Sequence, residues 1–407
     1  MEESDNAAKW SSGPLSGVKV IDLTSVVLGP FATRILGDLG ADVIKVETLD
    51  GDSIRHYRPN RSPGMSGVFL TLNRNKRSVC LDLRSPDGKQ ALRKLIEGAD
   101  VFVHNMRPQA VARLGFAYDS VKSVKPDIVY CGAYGFGVDG PYSHKPAYDD
   151  LMQAGSGLAA LVGDLTGTPG YVPTIICDKL NGQAAAYAIM AALFQRALGG
   201  GGQSVEVPMF ETSIDFFSIE HLGAATFEPP LGPIGWPRIL TPHRRPYETL
   251  DGYACILPHS DQNWRDFFES VGEPTIMSDP RFATLADRVE HIDELYQHVS
   301  KHAPARTTAQ WIEFCDKRSI PCIAVLGLEA LQDDPHIRAV ELFSIQDHPS
   351  EGKYRAVRNP LGFSGASTKL RRHAPRLGEH SFEVLQEAGL SRDDVEGLAL
   401  RGVIKVN

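Results

Sequence analysis

The sequence predicts an α/β fold: an open, mostly parallel sheet with crossover helices. Two observations carry this. Through the first half of the chain, short apolar runs of strand length alternate with helix-length segments. At 407 residues the chain is also too long for one compact core, and its texture changes near residue 225. Two domains are therefore expected.

The elements follow in order. Residues 18–23 read as a strand. Residues 30–39 read as a helix, with Pro30 in its first turn and Gly40 at its end. Strands follow at 42–47 and 78–83. Ser85 and Pro86 open a helix to about Glu97, and strands return at 100–103 and 127–131. In such sheets ligands bind beyond the carboxyl ends of the strands. Residues 151–161 and the Ala-rich run 182–198 read as helices, and 204–207 as a short strand. Pro229, Pro230, Gly232, Pro233, Gly235 and Pro237 mark a linker. Beyond it, 253–257 reads as a strand, and 264–271, 292–302 and 308–317 as helices. Residues 345–376 read as loop-rich, and 382–388 with 392–401 as a closing helical pair.

Composition removes several classes of function. Hydrophobic residues make up 42% and charged residues 23%, so a globally disordered chain is excluded. The net charge of −8 argues against nucleic acid or an anionic membrane as partner. The N-terminus, MEESDNAAKWSSGPLSG, lacks the basic and apolar regions of a secretory signal, and its first ten or so residues are expected to be loose. No window approaches the ~18 apolar residues of a membrane span. Six cysteines show no metal-site spacing, which suits reduced thiols in a cytoplasm. The thirteen histidines form no HExxH or HxH pair, so no metal is expected.

Few segments suggest chemistry on their own. Neither Gly132–Gly137 nor Gly199–Gly202 is a GxGxxG loop, and no GxSxG elbow is present. Asn73, Arg74, Asn75, Lys76 and Arg77 form a basic cluster before a strand. Arg107 and Arg113 follow the next strand. These cations could surround phosphates, or they could form a solvated loop. Asp178 lies just ahead of the Ala-rich run. Spacing alone reads it as a helix N-cap ahead of a nucleophile; the two readings are compatible, since the helix dipole would favour its anion. Gly182 would let a substrate or another backbone come close.

Taken together, ordered segments resemble the family III CoA-transferases, the formyl-CoA and carnitine-CoA transferase group. They include LSGVKVIDLT, GPFATRILGDLGADVIKVE (29–47), NRNKRSVCLDL (73–83), DVFVHNMRPQAVARLGF (100–116) and PDIVYCGAYGFGVDGPY (126–142). The Asp178 segment, GGGQSVEVPMFE (200–211), IPCIAVLGLEALQDDPHIRA (320–339) and LGEHSFEVLQEAGLSRDDVEGLALRGVI (377–404) complete the series.

The resemblance implies a Rossmann-like large domain built from both chain ends, with a smaller α+β domain. A flexible stretch at 1–14 would precede a large domain at 15–225. A small domain would occupy 226–330, and 331–407 would return to the large one. It also implies a homodimer of interlocked subunits. Asp178 matches the catalytic aspartate. Ser25, Val26 and Val27 match a CoA-contacting turn, and Asn73, Arg74 and Lys76 a second one. His104, Asn105 and Met106 match a third contacting loop, and Arg113 a CoA-binding arginine. The implied reaction passes CoA from a donor thioester to a small organic acid through aspartyl anhydride and aspartyl-CoA intermediates. The CoA thioester is then a substrate, and no cofactor is held permanently.

The chain also departs from the pattern. Thr48 replaces a CoA-contacting arginine, leaving Arg74, Arg77 or Arg107 to supply phosphate binding. Residues 229–247 are short and Pro-rich where formyl-CoA transferases carry a Gly-rich flap, which speaks against oxalate. Arg238, His243, Arg244 and Arg245 could meet a distal carboxylate of the acid or form a solvated linker. The related 2-methylacyl-CoA racemases use a histidine where this chain has Tyr148, and His144 is four positions out of register. A racemase, and a non-catalytic CoA-binding or assembly protein, are the alternatives.

Overall fold

The structure is a computed structural model and describes residues 13–406. The looseness expected of the first ten residues lies outside the described residues. The chain divides into two compact units. One comprises 13–156, 172–215 and 336–406. The other comprises 157–171 and 216–335.

The α/β expectation holds. The first unit is built on a seven-stranded sheet. Its strands are β1 (Lys19–Leu23), β2 (Asp42–Glu47), β3 (Lys76–Leu81), β4 (Val101–His104), β5 (Val129–Tyr134), β6 (Gln203–Pro208) and the edge strand Ile404–Lys405. The order is edge strand, β3, β2, β1, β4, β5, β6. All pairings are parallel except that of the edge strand, which runs antiparallel to β3. Progression reverses between β1 and β4, the topological switch point of a doubly wound sheet.

The strands read as apolar runs because both sheet faces are covered. Val20, Val43, Val101, Val103 and Val129 point to one face, and Ile21, Ile44, Phe102 and Tyr130 to the other. The helices Leu28–Asp38 and Ile176–Gln195 cover the first face, chiefly through alanines. Pro86–Glu97, Ser381–Glu387 and Arg392–Leu400 cover the second. Ser85 caps Pro86–Glu97 by accepting from the Gly88 amide.

Gly182 serves the backbone-approach reading. A Cβ there would lie 2.7 Å from the Leu28 carbonyl oxygen and 2.9 Å from the Phe31 ring. Gly182→Ala should therefore part the two helices and cost about 1–3 kcal/mol despite alanine's better helix propensity. A thermal midpoint at or above that of the parent chain would count against this reading.

Three elements differ from expectation. The helix expected at 151–161 is two, Asp149–Gly155 and Leu158–Thr166, broken at Gly157 with φ +94°. The loop-rich stretch from 345 opens with an antiparallel hairpin, Phe343–His348 with Gly352–Val357. Its polar residues on both strands hide the alternation that would reveal it. The Ala-rich helix begins six residues early, at Ile176, and places Asp178 inside the helix.

The second unit packs Trp264, Phe267, Phe268, Tyr296 and Trp311 into one core. Beside them lies a three-stranded antiparallel sheet, Tyr247–Glu248, Tyr253–Ile256 and Cys322–Ala324. Capping boxes at Ser260 and Thr307 start two of its helices. Among the described residues no helix is long and apolar enough to cross a membrane.

Candidate active site

A cavity of about 370 Å³ opens beyond the carboxyl ends of β1, β4 and β5, at the switch point. Four pieces of the first unit wall it: the turn Ser25–Leu28 after β1, the loop 105–108 after β4, Ala133–Gly135 at the end of β5, and 145–148. Asp178 faces into it.

The first two walls are stitched together. The Ser25 amide donates to Asn105 Oδ1 at 3.0 Å, and Asn105 Nδ2 donates back to the Ser25 carbonyl at 2.8 Å. Val26 next to it has φ +70°, a left-handed conformation unfavourable for a β-branched residue. The Asp52 carboxylate holds it there by accepting the Val26 amide at 3.1 Å. Asp52 is anchored in turn by Lys45 Nζ at 3.0 Å, which also donates to the Thr24 carbonyl at 2.8 Å. A buried ion pair thus fixes the shape of the β1 turn.

Asp178 is not an N-cap. It is the third residue of its helix, and the N-cap position, Ile175, has no side-chain cap. The capping work falls to Asp149, whose Oδ1 accepts the Asp178 amide at 3.0 Å. Asp149 is steadied by Gln153 Nε2 at 2.7 Å, and Gln153 Oε1 accepts the Val172 amide. Among the described residues the Asp178 carboxylate itself has no hydrogen-bond partner. The helix terminus therefore gives this group no hydrogen bond, although Asp178 stays in the first turn. Burial, and then the neighbouring Asp149 charge, push its pKa up to about 7. Asp178 is a desolvated, basic carboxylate set against the cavity.

The other residues singled out from the sequence separate into two sets. Ser25, Val26, Val27, Asn105, Met106, Arg107 and Tyr148 line the cavity with Asp178. Asn73, Arg74, Lys76 and Arg77 do not. β3 begins at Lys76, paired with Val43 near the amino end of β2, whereas the cavity lies beyond the carboxyl ends. Each cation there is spent on an internal carboxylate: Arg74 on Asp38, Lys76 on Asp22, and Arg77 on Asp42, Glu383 and Glu387. Asn73 accepts from Lys76 Nζ at 2.9 Å.

His104 stands behind the wall rather than in it. It is buried, with Nε2 2.8 Å from the Tyr130 hydroxyl and Nδ1 accepting the Met106 amide. The Tyr130 hydroxyl donates onward to the Phe116 carbonyl, so Nε2 carries the imidazole proton. Burial lowers its pKa to about 4, leaving it neutral. Its role here is to shape the loop 105–108. Arg113 is exposed on the helix Pro108–Leu114 and outside the cavity wall. Arg238, His243, Arg244 and Arg245 belong to the second unit. No histidine lines the cavity among the described residues.

Sequence reasoning missed Asp149, Lys145 and the Tyr134–Gly135 wall. The wall was visible as the glycine-rich run following the strand at 127–131. Asp149 had no signal, because its partner is 29 positions away. Lys145, whose Nζ sits 3.7 Å from the centre of the Tyr142 ring, joins Arg107 as a cavity cation.

Comparison with known proteins fits this arrangement. The profile of CoA-transferase family III matches residues 15–381. An acyl-CoA transferase of Fusarium pseudograminearum is 32% identical, over 98% of this chain and 90% of its own. A formyl-CoA:oxalate CoA-transferase of Escherichia coli is 28% identical, over 95% of this chain and 98% of its own. The crystal structure of a CaiB/BaiF family protein from Brucella suis superposes with a TM-score of 0.78 at 27% identity, covering 93% of this chain and 100% of that one. The Rv3272 protein of Mycobacterium tuberculosis gives 0.78 at 25% identity, covering 91% and 98%. With a doubly wound sheet and a cavity at its switch point, this chain belongs to CoA-transferase family III and is a CoA-transferase.

Proposed function

We propose that the protein transfers CoA from an acyl-CoA donor to a small carboxylic acid by covalent catalysis on Asp178. The observation that carries this is the Asp178 carboxylate itself, facing the cavity with no hydrogen bond and with a raised pKa. A half-buried carboxylate with no hydrogen bond is a better nucleophile than a paired one.

The steps balance without ATP or metal. An Asp178 oxygen bonds to the donor carbonyl carbon, the C–S bond breaks, and CoA leaves as the thiolate. The thiolate attacks the aspartyl carbon of the anhydride and releases the donor acid. The acceptor carboxylate then attacks aspartyl-CoA, forming a second anhydride and freeing the thiolate. Attack of the thiolate on the acceptor acyl carbon gives the new thioester and regenerates Asp178. In the Ser25–Leu28 turn the Ser25 and Val26 amides are already engaged, which leaves those of Val27 and Leu28 as the candidates to meet the developing oxyanion. Arg107 and Lys145 supply positive charge for CoA phosphates or for the acid.

Tyr148 on the wall, with no cavity histidine, favours transfer over racemisation. The reading includes the homodimer that the resemblance implies, which light scattering would register as twice the chain mass. A panel of mono- and dicarboxylates, scored by mass spectrometry for new thioesters, tests the reaction and finds the acceptor. Label entering the α-carbon of a 2-methylacyl-CoA from deuterated water, without CoA exchange, would sink it.

The raised pKa sets a pH dependence. Attack needs the ionised carboxylate, so kcat/KM should rise with pH and level off above about 7. Small acceptor acids are already ionised there, so the limb belongs to the enzyme. A flat profile between about pH 5.5 and 8 would contradict the assignment.

A further inference from the structure

We propose that Glu273, His298 and His302, in the second unit, form a binding site for one zinc ion. The sequence reading expected no metal ligands because it sought HExxH and HxH patterns. These two histidines have the four-residue spacing of HExxH, on one face of the helix Ile292–His302, but Val299 stands where that motif has Glu. Their third partner comes from a turn 25 residues before His298.

Glu273 and His298 are both held against Phe268. The helix Asp261–Ser270 ends through Gly272, which has φ +78°, and the Glu273 amide returns to the Phe268 carbonyl at 2.9 Å. The His298 ring stands edge-to-face on Phe268, with centroids 5.5 Å apart. His298 Nδ1 and His302 Nε2 each lie 3.1 Å from Glu273 Oε2, and the three ligand atoms lie within 4.8 Å of one another. A tetrahedral ion with bonds of ~2.0–2.1 Å separates its donors by about 3.3 Å. His302 Nε2 is shielded from solvent and has no aligned hydrogen bond, although the carboxylate is close. Its nitrogen is thus left without a partner beside the carboxylate.

The competing reading is an ion-pair cluster. Lys301 Nζ pairs with Glu273 Oε1, and His298 Nδ1 is within hydrogen-bond distance of Oε2. Lys301 is 61% exposed and can turn to water without leaving a buried charge. Two imidazoles and one carboxylate suit zinc or cobalt over magnesium or calcium. They leave a fourth position for water. The ion would clip the Glu273 turn to the Ile292–His302 helix.

The test is titration of the full-length, untagged chain with Co²⁺, read by the visible bands of tetrahedral cobalt, then displacement by Zn²⁺. One equivalent per chain is expected. His302→Gln should weaken binding at least tenfold and leave CoA exchange unchanged. Zinc should raise the thermal midpoint of the parent chain and not that of the variant. Lys301→Ala, which leaves every ligand in place, should tighten binding several-fold by removing the competing cation. Absence of cobalt bands, equal binding by His302→Gln, or binding by Lys301→Ala no tighter than the parent's would each overturn the site in favour of the ion-pair cluster.

Discussion

Asp178→Asn should abolish CoA exchange, by about three orders of magnitude or more, and leave CoA binding within a few-fold of the parent. It should also make the protein more stable at neutral pH and above. The folded chain holds the Asp178 proton up to about pH 7, whereas an unfolded aspartate releases it near 3.8. Between those values the native state binds more protons than the unfolded one, so stability falls as pH rises. Above about pH 7 the full penalty of ionising a carboxylate beside Asp149 is present. Discounted for partial solvent contact, it is on the order of 2 kcal/mol. Asparagine removes the charge and keeps the shape. Melting curves should therefore separate above pH 7 and converge near pH 4. Surviving exchange would dismiss the nucleophile. Curves that stay together at high pH would dismiss the desolvated carboxylate.

Asp22→Ala should produce the largest loss of stability. Asp22 is buried and accepts from the Thr24 amide, the Thr24 and Thr33 hydroxyls and Lys76 Nζ. Burial opposes its charge, but Lys76, Lys45 and the two hydroxyls together hold its pKa below the ordinary carboxylate range. Lys76 is as deeply buried, and desolvation brings its pKa down to about 8 even with Asp22 beside it. Removing the anion strands a buried ammonium, a loss of about 3–5 kcal/mol. Urea unfolding measures it. The double variant Asp22→Ala with Lys76→Met should recover much of the loss, because both charges go together. A single-variant loss under about 1 kcal/mol would show that water reaches the ammonium. The pair also predicts acid sensitivity: the stability Asp22 contributes is present above its ordinary pKa and lost as pH falls below about 4.

How far the sequence discloses this depends on how local the cause is. β4 is legible because Val101, Phe102 and Val103 are apolar toward both covered faces. The helices Ile292–His302 and Thr308–Lys317 are legible because their apolar positions recur at helical spacing. The hairpin Phe343–Val357 is hidden because its side chains alternate weakly. At the active site, an acid ahead of an alanine-rich helix could be noticed, but its environment could not. Burial first, and then the charge of Asp149 from another helix, raise the Asp178 pKa, and neither is local in sequence. The basic cluster failed as a guide to the cavity for a similar reason. Whether Arg74 and Lys76 face ligand or carboxylate depends on Asp38 and Asp22, which the spacing does not reveal. The glycine-rich stretch after β5 showed a loop, and only the sheet order turned it into a wall.

The edge strand Ile404–Lys405 has a consequence for biosynthesis. It pairs with Cys80 and Leu81, and the Val403 carbonyl accepts the Asp82 amide, so β3 receives its outer neighbour from residues about 320 positions later in the chain. At ~5–20 residues per second, that edge waits for tens of seconds in the growing chain. An unpaired strand edge is a template for association with other chains. Removing residues 402–407 should therefore shift the product from soluble to aggregated at unchanged synthesis, and ultracentrifugation of freshly translated chains would measure it.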